Sequence, residues 1–292
     1  MRRLHPASAN PATLAAIMNA PLLALLLASA PKADLPAGPS ADQLVSLGKS
    51  YAEQGKNDQA IAALTEALAG KPKAAAEAEY LLGVCLSRKS QLAEAAGHLE
   101  RSTALNPKLY DAWLLLGMTR DLQKEPEKAA AAYRRAIAAA PGRPEAHKEL
   151  GSTLLLLGKP DEAIAELSKA LEIAPFQTEI LGDLGYAQLL AKRCEQAAAT
   201  LGKAAAADRK NPDTLTHLGD ARACLGRTDE AIAAYEQAVQ LKPTDVRALF
   251  HLGLMRMKKG DAPGARDALE KARRLAPDDP AIEKALEHLG KR

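Results

Sequence analysis

Aromatic side chains are scarce in this chain of 292 residues, which contains two Phe, one Trp and six Tyr. They make up 3% of the sequence, whereas Ala is abundant. Small side chains let helix backbones approach closely, where larger ones hold them apart. The composition therefore favours slim, closely packed helices.

Cysteine is also rare. The three cysteines are Cys85, Cys194 and Cys224. No two of them have the spacing of a metal site, and no haem-attachment motif is present, which argues against a zinc or haem cofactor. We expect Cys85 to be an ordinary small buried residue.

Neither sign of charge is in large excess, since 39 basic residues face 36 acidic ones, for a net charge of +3. A nucleic-acid footprint requires a clustered basic stripe. Basic residues do gather between 247 and 274, but Asp261, Asp267 and Glu270 interrupt them. The sequence therefore predicts a solvated face there and no nucleic-acid partner.

What the chain does contain is a repeat built on Leu-Gly pairs, the first two thirty-five positions apart and the others thirty-four. An Ala stands twelve positions after each Gly, and an Ala or Ser stands nineteen positions after it. A Pro stands twenty-four positions after the Gly in six of the seven units. The seven glycines are Gly48, Gly83, Gly117, Gly151, Gly185, Gly219 and Gly253.

This period predicts a helix, a turn, a second helix and a second turn in each unit. Gly inside a helix costs about 1 kcal/mol relative to Ala, so seven in register indicate a packing contact that repeats. Pro does not continue a helix and ends each unit. No unit buries its apolar face alone, and stacking on neighbours completes the core.

The pattern resembles the tetratricopeptide repeat family over residues 41–279. The resemblance implies an all-α fold, a right-handed α-solenoid of seven helix-turn-helix hairpins. Its units are 41–75, 76–109, 110–143, 144–177, 178–211, 212–245 and 246–279. The apolar stripe that follows Pro280 predicts a C-terminal capping helix over 280–292. In the fifth unit Arg209 replaces the usual Pro. We expect Asn211 to cap a helix that starts at Pro212, and the helix boundary at this turn to be shifted relative to the other units.

The resemblance also implies a concave groove lined by the first helix of each unit. Side chains six, three and two before each Gly, and one and four after it, are then the ones that face the groove. The candidate partner-binding residues are Tyr80, Leu81, Val84, Leu114, Met118, Lys148, Tyr186, Asp220, Phe250 and Leu254. Six units also place an acid at the groove's edge. These acids are Asp42, Glu77, Asp111, Glu145, Glu179 and Asp213.

Motifs for catalysis are missing from the sequence: it has no metalloprotease helix motif, phosphate-binding Gly-rich loop or nucleophile elbow. His217 and His251 occupy the same place in adjacent units, and such places lie about 10 Å apart, too far to share one metal ion. The sequence therefore predicts no catalytic, cofactor or metal site, and a protein that is not an enzyme.

The first forty residues lie outside the repeat. Arg2 and Arg3 precede an apolar stretch that starts at Leu14 and is followed by the small residues Ala28-Ser29-Ala30. A charged start, a short apolar core and a small-residue cleavage site are the layout of a secretory signal. We predict a signal peptide over 1–30 and a flexible linker over 31–40.

Two features argue against this signal: Asn19 and Pro21 interrupt the apolar run, and Pro31 follows the cleavage site. The run is too short for a membrane span, so no integral span is expected in the mature chain. The favoured location is exported, periplasmic or envelope-associated. The alternative is a cytoplasmic protein with an unprocessed N-terminus.

Cys194 and Cys224 are predicted to lie close together. Cys194 follows the turn between the helices of the fifth unit, and Cys224 ends the first helix of the sixth. The second helix of one unit lies antiparallel to the first helix of the next, which brings these places together. A disulfide there favours an oxidising compartment, and two unpaired thiols are the alternative.

Taken together, these features predict a scaffold or adaptor that binds a peptide or helix of a partner protein. The resemblance implies protein–protein interaction within an exported or envelope-associated assembly. One alternative is a cytoplasmic adaptor. Another is the binding subunit of an enzyme whose catalytic part lies on a different chain.

Overall fold

The computed structural model describes residues 38–290, which form fifteen helices and contain no strand. The predicted signal peptide and most of the predicted linker lie outside the described residues. The all-α solenoid is confirmed, since each helix packs on the next along the chain.

The first helices of the seven units are α1 (Ala41–Glu53), α3 (Ala75–Arg88), α5 (Tyr110–Leu122), α7 (Pro144–Leu156), α9 (Thr178–Leu190), α11 (Pro212–Cys224) and α13 (Val246–Lys259). The second helices are α2 (Asn57–Ala69), α4 (Leu92–Leu105), α6 (Pro126–Ala139), α8 (Pro160–Ile173), α10 (Cys194–Ala207), α12 (Thr228–Leu241) and α14 (Ala262–Leu275). A final helix, α15, covers Pro280–Gly290.

Each hairpin closes on one recurring contact between the Gly of its first helix and a large side chain of its second helix. A methyl group added to any of these glycines would come under 3.0 Å from that side chain. The partners are Leu64, Leu99, Tyr133, Leu167, Leu201, Tyr235 and Leu269, all at most 1% exposed. The predicted role of the glycines is thus confirmed: they make room for one buried knob per hairpin.

Stacking of the hairpins gives the array a direction of curvature. Each first helix contacts the second helix of the preceding unit and also the preceding first helix. The backbones of consecutive second helices do not come as close anywhere in residues 38–290, although the side chains of Arg134 on α6 and Glu162 on α8 form an ion pair at 3.2 Å. The first helices therefore lie closer together and form the inner side of the curve. We call their exposed side the inner face; it includes the exposed residues among the positions that the sequence assigned to the groove.

The two ends of the array differ. At the C-terminal end, Ile282 and Leu286 of α15 pack with Leu249 and Leu269 of the last hairpin, so the predicted cap is confirmed. At the N-terminal end, Leu47 is 42% exposed. Its six counterparts, one residue before each Gly, are between 1% and 7% exposed because a preceding hairpin covers them.

The turn between the fifth and sixth units keeps the common period. Asn211 caps α11 as predicted, its side chain accepting a hydrogen bond from the Thr214 amide at 3.1 Å. The corresponding turn one repeat earlier lies between Ile173, which ends α8, and Thr178, which begins α9. α10 ends at Ala207 and α11 begins at Pro212, each one repeat length later. The expected shift of the helix boundary at Arg209 is therefore wrong, because the asparagine cap replaces the missing proline without a change of register.

Candidate functional site

In the second and third units the inner face is largely apolar. Met118 is 43% exposed, and Val84 and Leu114 are half-buried. Tyr80 packs against two core clusters, and Leu81 is only 8% exposed within the first of these. Met118 therefore presents the most accessible apolar side chain among the predicted residues of this half.

In the fourth and fifth units the inner face is charged. Lys148 lies 3.0 Å from the Glu179 carboxylate, and Ser152 Oγ donates to Asp183 at 3.2 Å. Burial raises the pKa of Asp183 and of Glu149 above their usual values. A cation brought to this region by a partner would stabilise both carboxylates in their charged forms.

An aromatic stack continues the inner face into the sixth unit. The rings of Tyr186 and His217 are stacked with their centres 4.5 Å apart. Arg247 lies 3.1 Å from His217 Nε2 and pairs with Asp220, which also accepts the Tyr235 hydroxyl at 2.7 Å. Burial, and then the positive charge of Arg247, lower the pKa of His217, which disfavours its cationic form.

In the last unit, the predicted inner-face residues pack against their neighbours and against the C-terminal cap. Phe250 contacts His251 edge to face at 5.5 Å between ring centres. Both Phe250 and Leu254 pack against the cluster formed with α15. These two predicted residues therefore hold the C-terminal cap in addition to bordering the inner face.

A cavity of about 580 Å³ opens on the inner face between the fourth and seventh units. Its lining includes Lys148, Glu179, Gly182, Asp183, Tyr186, Asp213, His217 and Arg247. Gly182 stands three residues before its unit's Leu-Gly glycine, where other units carry Tyr80, Leu114 or Lys148. The missing side chain opens the space between neighbouring first helices.

Sequence reasoning missed one row of this surface, five residues after the Gly of the third, fourth and fifth units. Leu122, Leu156 and Leu190 are 66%, 77% and 46% exposed. Position five after the Gly lies seven residues from position two before it, hence two turns along the same side of the helix. The available signal was the repetition of Leu at one register position in three successive units.

Cys194 and Cys224 meet where α10 and α11 run side by side, and their Cα atoms are 6.1 Å apart. That separation is within the range that a disulfide spans. Cys85, in the first helix of the second unit, is buried.

Residues 38–290 contain no group of three or more side chains able to hold a metal ion. None of the helices in that range is long and apolar enough to cross a membrane.

Sequence models of the tetratricopeptide repeat match nearly the whole helical array. One repeat model matches residues 45–109, 86–144, 114–178 and 216–280, and a second matches residues 154–218. No curated protein gives a significant match to the chain as a whole.

Solved structures with the same fold cover most of the array. A repeat protein from Cytophaga hutchinsonii, solved as its C-terminal part, is 16% identical, with a TM-score of 0.66 over 83% of this chain and 99% of that one. MamA is 28% identical, with a TM-score of 0.53 over 56% and 95% of the two chains. YrrB is 19% identical, with a TM-score of 0.57 over 66% and 99%. With repeat models matched from residue 45 to residue 280, the chain belongs to the tetratricopeptide repeat family.

Proposed function

We propose that this protein is a non-catalytic scaffold that binds a peptide or helix of a partner protein on its inner face. The family supports protein–protein interaction in general terms. The main support for peptide or helix binding is that the inner face offers both apolar and polar contacts. The exposed Met118 lies on the third unit, and the cavity of about 580 Å³, lined by residues that include Lys148 and Tyr186, begins on the fourth.

The composition of this face suits a peptide partner. Peptide-binding grooves combine apolar anchors with a few polar groups that set orientation. Met118 provides an adaptable apolar contact, and Tyr186 provides a ring with a polar end.

Co-purification from the cells that make the protein tests the binding face. Met118→Ala should weaken capture of the partner, because it removes an exposed apolar contact from the inner face. Leu105→Ala is the matched control, since Leu105 is 58% exposed at the end of α4, a second helix. Equal loss for both variants, or no loss for Met118→Ala, would contradict the proposal.

We also place the mature protein outside the cytoplasm, in the periplasm or another part of the envelope. The charged start and apolar stretch of the first 30 residues support export. The approach of Cys194 and Cys224 supports a disulfide, which forms in oxidising compartments. N-terminal sequencing of the protein from its own cells tests export: a chain that retains Met1 or Arg2 is unprocessed.

A further inference from the structure

Three leucines form an exposed row across the inner face of the third, fourth and fifth units. Leu122, Leu156 and Leu190 occupy the same register position, five residues after the Gly. Neighbouring first helices contact each other, so consecutive leucines lie about 8–10 Å apart, the usual distance between packed helices. We call this row the leucine row.

The leucine row has no covering partner in the described part of the chain. None of its three side chains packs in or against a core cluster, whereas the neighbouring Leu155, Leu157 and Leu189 pack against one. Apolar surface that stays in water forgoes the favourable transfer free energy that burial provides. Three such residues in one row are the kind of apolar patch that marks an interaction surface.

The row is limited to the centre of the array. At the same register position the first, second and seventh units carry Glu53, Arg88 and Lys258. The sixth carries Cys224, the predicted disulfide residue. A partner that covers the leucines therefore has a defined place, between Arg88 on one side and Cys224, followed by Lys258, on the other.

The inner face of these central units is acidic, although the whole chain has a net charge of +3. In the third to sixth units, eight carboxylates occupy inner-face positions. They are Asp111, Asp121, Glu145, Glu149, Glu179, Asp183, Asp213 and Asp220. The cations paired with them are Arg143, Lys148 and Arg247. The Glu179 side chain is 83% exposed, and Asp213 has no ion-pair partner among residues 38–290.

The leucines and the outermost acids lie on opposite sides of the inner face. Eleven residues separate Asp111 from Leu122, Glu145 from Leu156 and Glu179 from Leu190. On a helix that separation is about 16 Å, which admits a second helix of about 10–12 Å diameter between the two rows. Residues seven apart on that helix are about 10.5 Å apart, close to the spacing of the leucine row.

We propose that the third to fifth units bind a basic amphipathic helix. Its apolar side chains cover the leucine row, and its Lys or Arg side chains face the inner-face carboxylates. This inference rests on the proposed function, since it names the chemistry of the partner that the inner face accepts. The helix lies across the first helices, with apolar residues in heptad spacing toward Leu122, Leu156 and Leu190.

Two synthetic peptides test the charge and the shape of the site. Each is a labelled helix of about 18 residues, or five turns, with leucines in heptad spacing; one carries Lys at the other positions and one carries Glu. Binding to the full chain is measured by fluorescence anisotropy at low and high salt. We expect the Lys peptide to bind, with affinity that falls as salt screens the carboxylates, and the Glu peptide not to bind.

Two triple variants test the place of binding. Leu122→Gln, Leu156→Gln and Leu190→Gln together should weaken binding of the Lys peptide by about tenfold or more, because they remove its apolar contacts. The matched control replaces Leu105, Leu241 and Leu275 with Gln, which are 58%, 44% and 43% exposed at the ends of second helices. It should leave binding unchanged, and circular dichroism checks the helical content of both variants.

Several results would overturn the inference. Equal binding of the Glu peptide, or equal loss in the control variant, would contradict it. Self-association lost in the leucine-row variant would mean that a second copy occupies the row, which also contradicts it. If a natural partner is captured through Met118 while the leucine-row variant binds the Lys peptide normally, this inference fails and the proposed function stands.

Discussion

The contact inside each hairpin is the same in every unit, whereas the residues of the inner face differ from unit to unit. Inside the hairpins, a Gly faces Leu or Tyr in all seven units, and that side chain is always at most 1% exposed. On the inner face, the residue three before the Gly changes from Tyr80 to Leu114, Lys148 and Gly182 in successive units. Uniform packing sets the shape, and we propose that the variable inner face supplies the chemistry for a partner.

The largest difference should appear when a knob inside a hairpin is compared with a leucine on the inner face. Leu201→Ala removes a fully buried side chain and should lower the free energy of unfolding by about 2–5 kcal/mol. Leu156→Ala removes one that is 77% exposed, and its effect should stay within about 0.5 kcal/mol. Denaturant unfolding measures both, and equal losses would remove the distinction between the two regions.

Contacts between hairpins gain a covalent link if Cys194 and Cys224 are bonded. Cross-linking residues 30 apart in sequence should stabilise the folded chain by about 3–4 kcal/mol, through the lower entropy of the unfolded chain. We expect a reducing agent to lower the unfolding temperature of the wild-type protein and to leave a Cys194→Ala, Cys224→Ala variant unaffected. Three free thiols in the denatured, unreduced protein would show that no bond forms.

A glycine packed inside a hairpin should behave differently from an uncrowded glycine in the same unit. Gly185→Ala brings a methyl group under 3.0 Å from Leu201, so overpacking should outweigh the gain in helix propensity and cost about 1–2 kcal/mol. Gly202→Ala meets no atom within 4 Å and should stabilise α10 by up to about 1 kcal/mol.

The double variant sharpens the same test. In Gly185→Ala with Leu201→Ala, the added methyl group enters the space that the leucine vacates. The combined cost should therefore be smaller than the sum of the two single costs. Strict additivity would mean that the two residues do not share one contact.

The smallest expected effect is the dependence of folding stability on pH. The folded-state pKa of His217 lies below the 6.5 of a free histidine, so the unfolded chain takes up its proton first as pH falls. The stability that depends on His217 should be fully present above pH 6.5 and should decrease on acidification through the window just below it. His217→Phe keeps a ring against Tyr186 and should flatten this slope; an unchanged slope would exclude His217 as its cause.

The sequence predicted the fold because its signal is periodic and local. A glycine at one register position of every repeat, with an alanine or serine at a fixed later position, identifies two packed helices without any long-range information. The approach of Cys194 and Cys224 followed from the same antiparallel order. The Asn211 cap was predicted from its position before Pro212, and its hydrogen bond to Thr214 confirms it.

Exposure on the inner face was harder to predict. Leu81 and Met118 both occupy predicted groove positions, yet one is 8% and the other 43% exposed. Each value depends on how far the neighbouring side chains cover that position. Leu122, Leu156 and Leu190 were missed because leucines at helical spacing are usually core residues. The absence of a covering element became visible only once the hairpins were stacked.

Hydrogen–deuterium exchange of the full chain, with and without its captured partner, tests the central claim most directly. The account predicts slower exchange on partner binding in the first helices α5, α7, α9 and α11, and no change in the second helices α6, α8 and α10. Protection confined to the second helices, or spread equally over both sets, would contradict the assignment of the inner face as the binding surface.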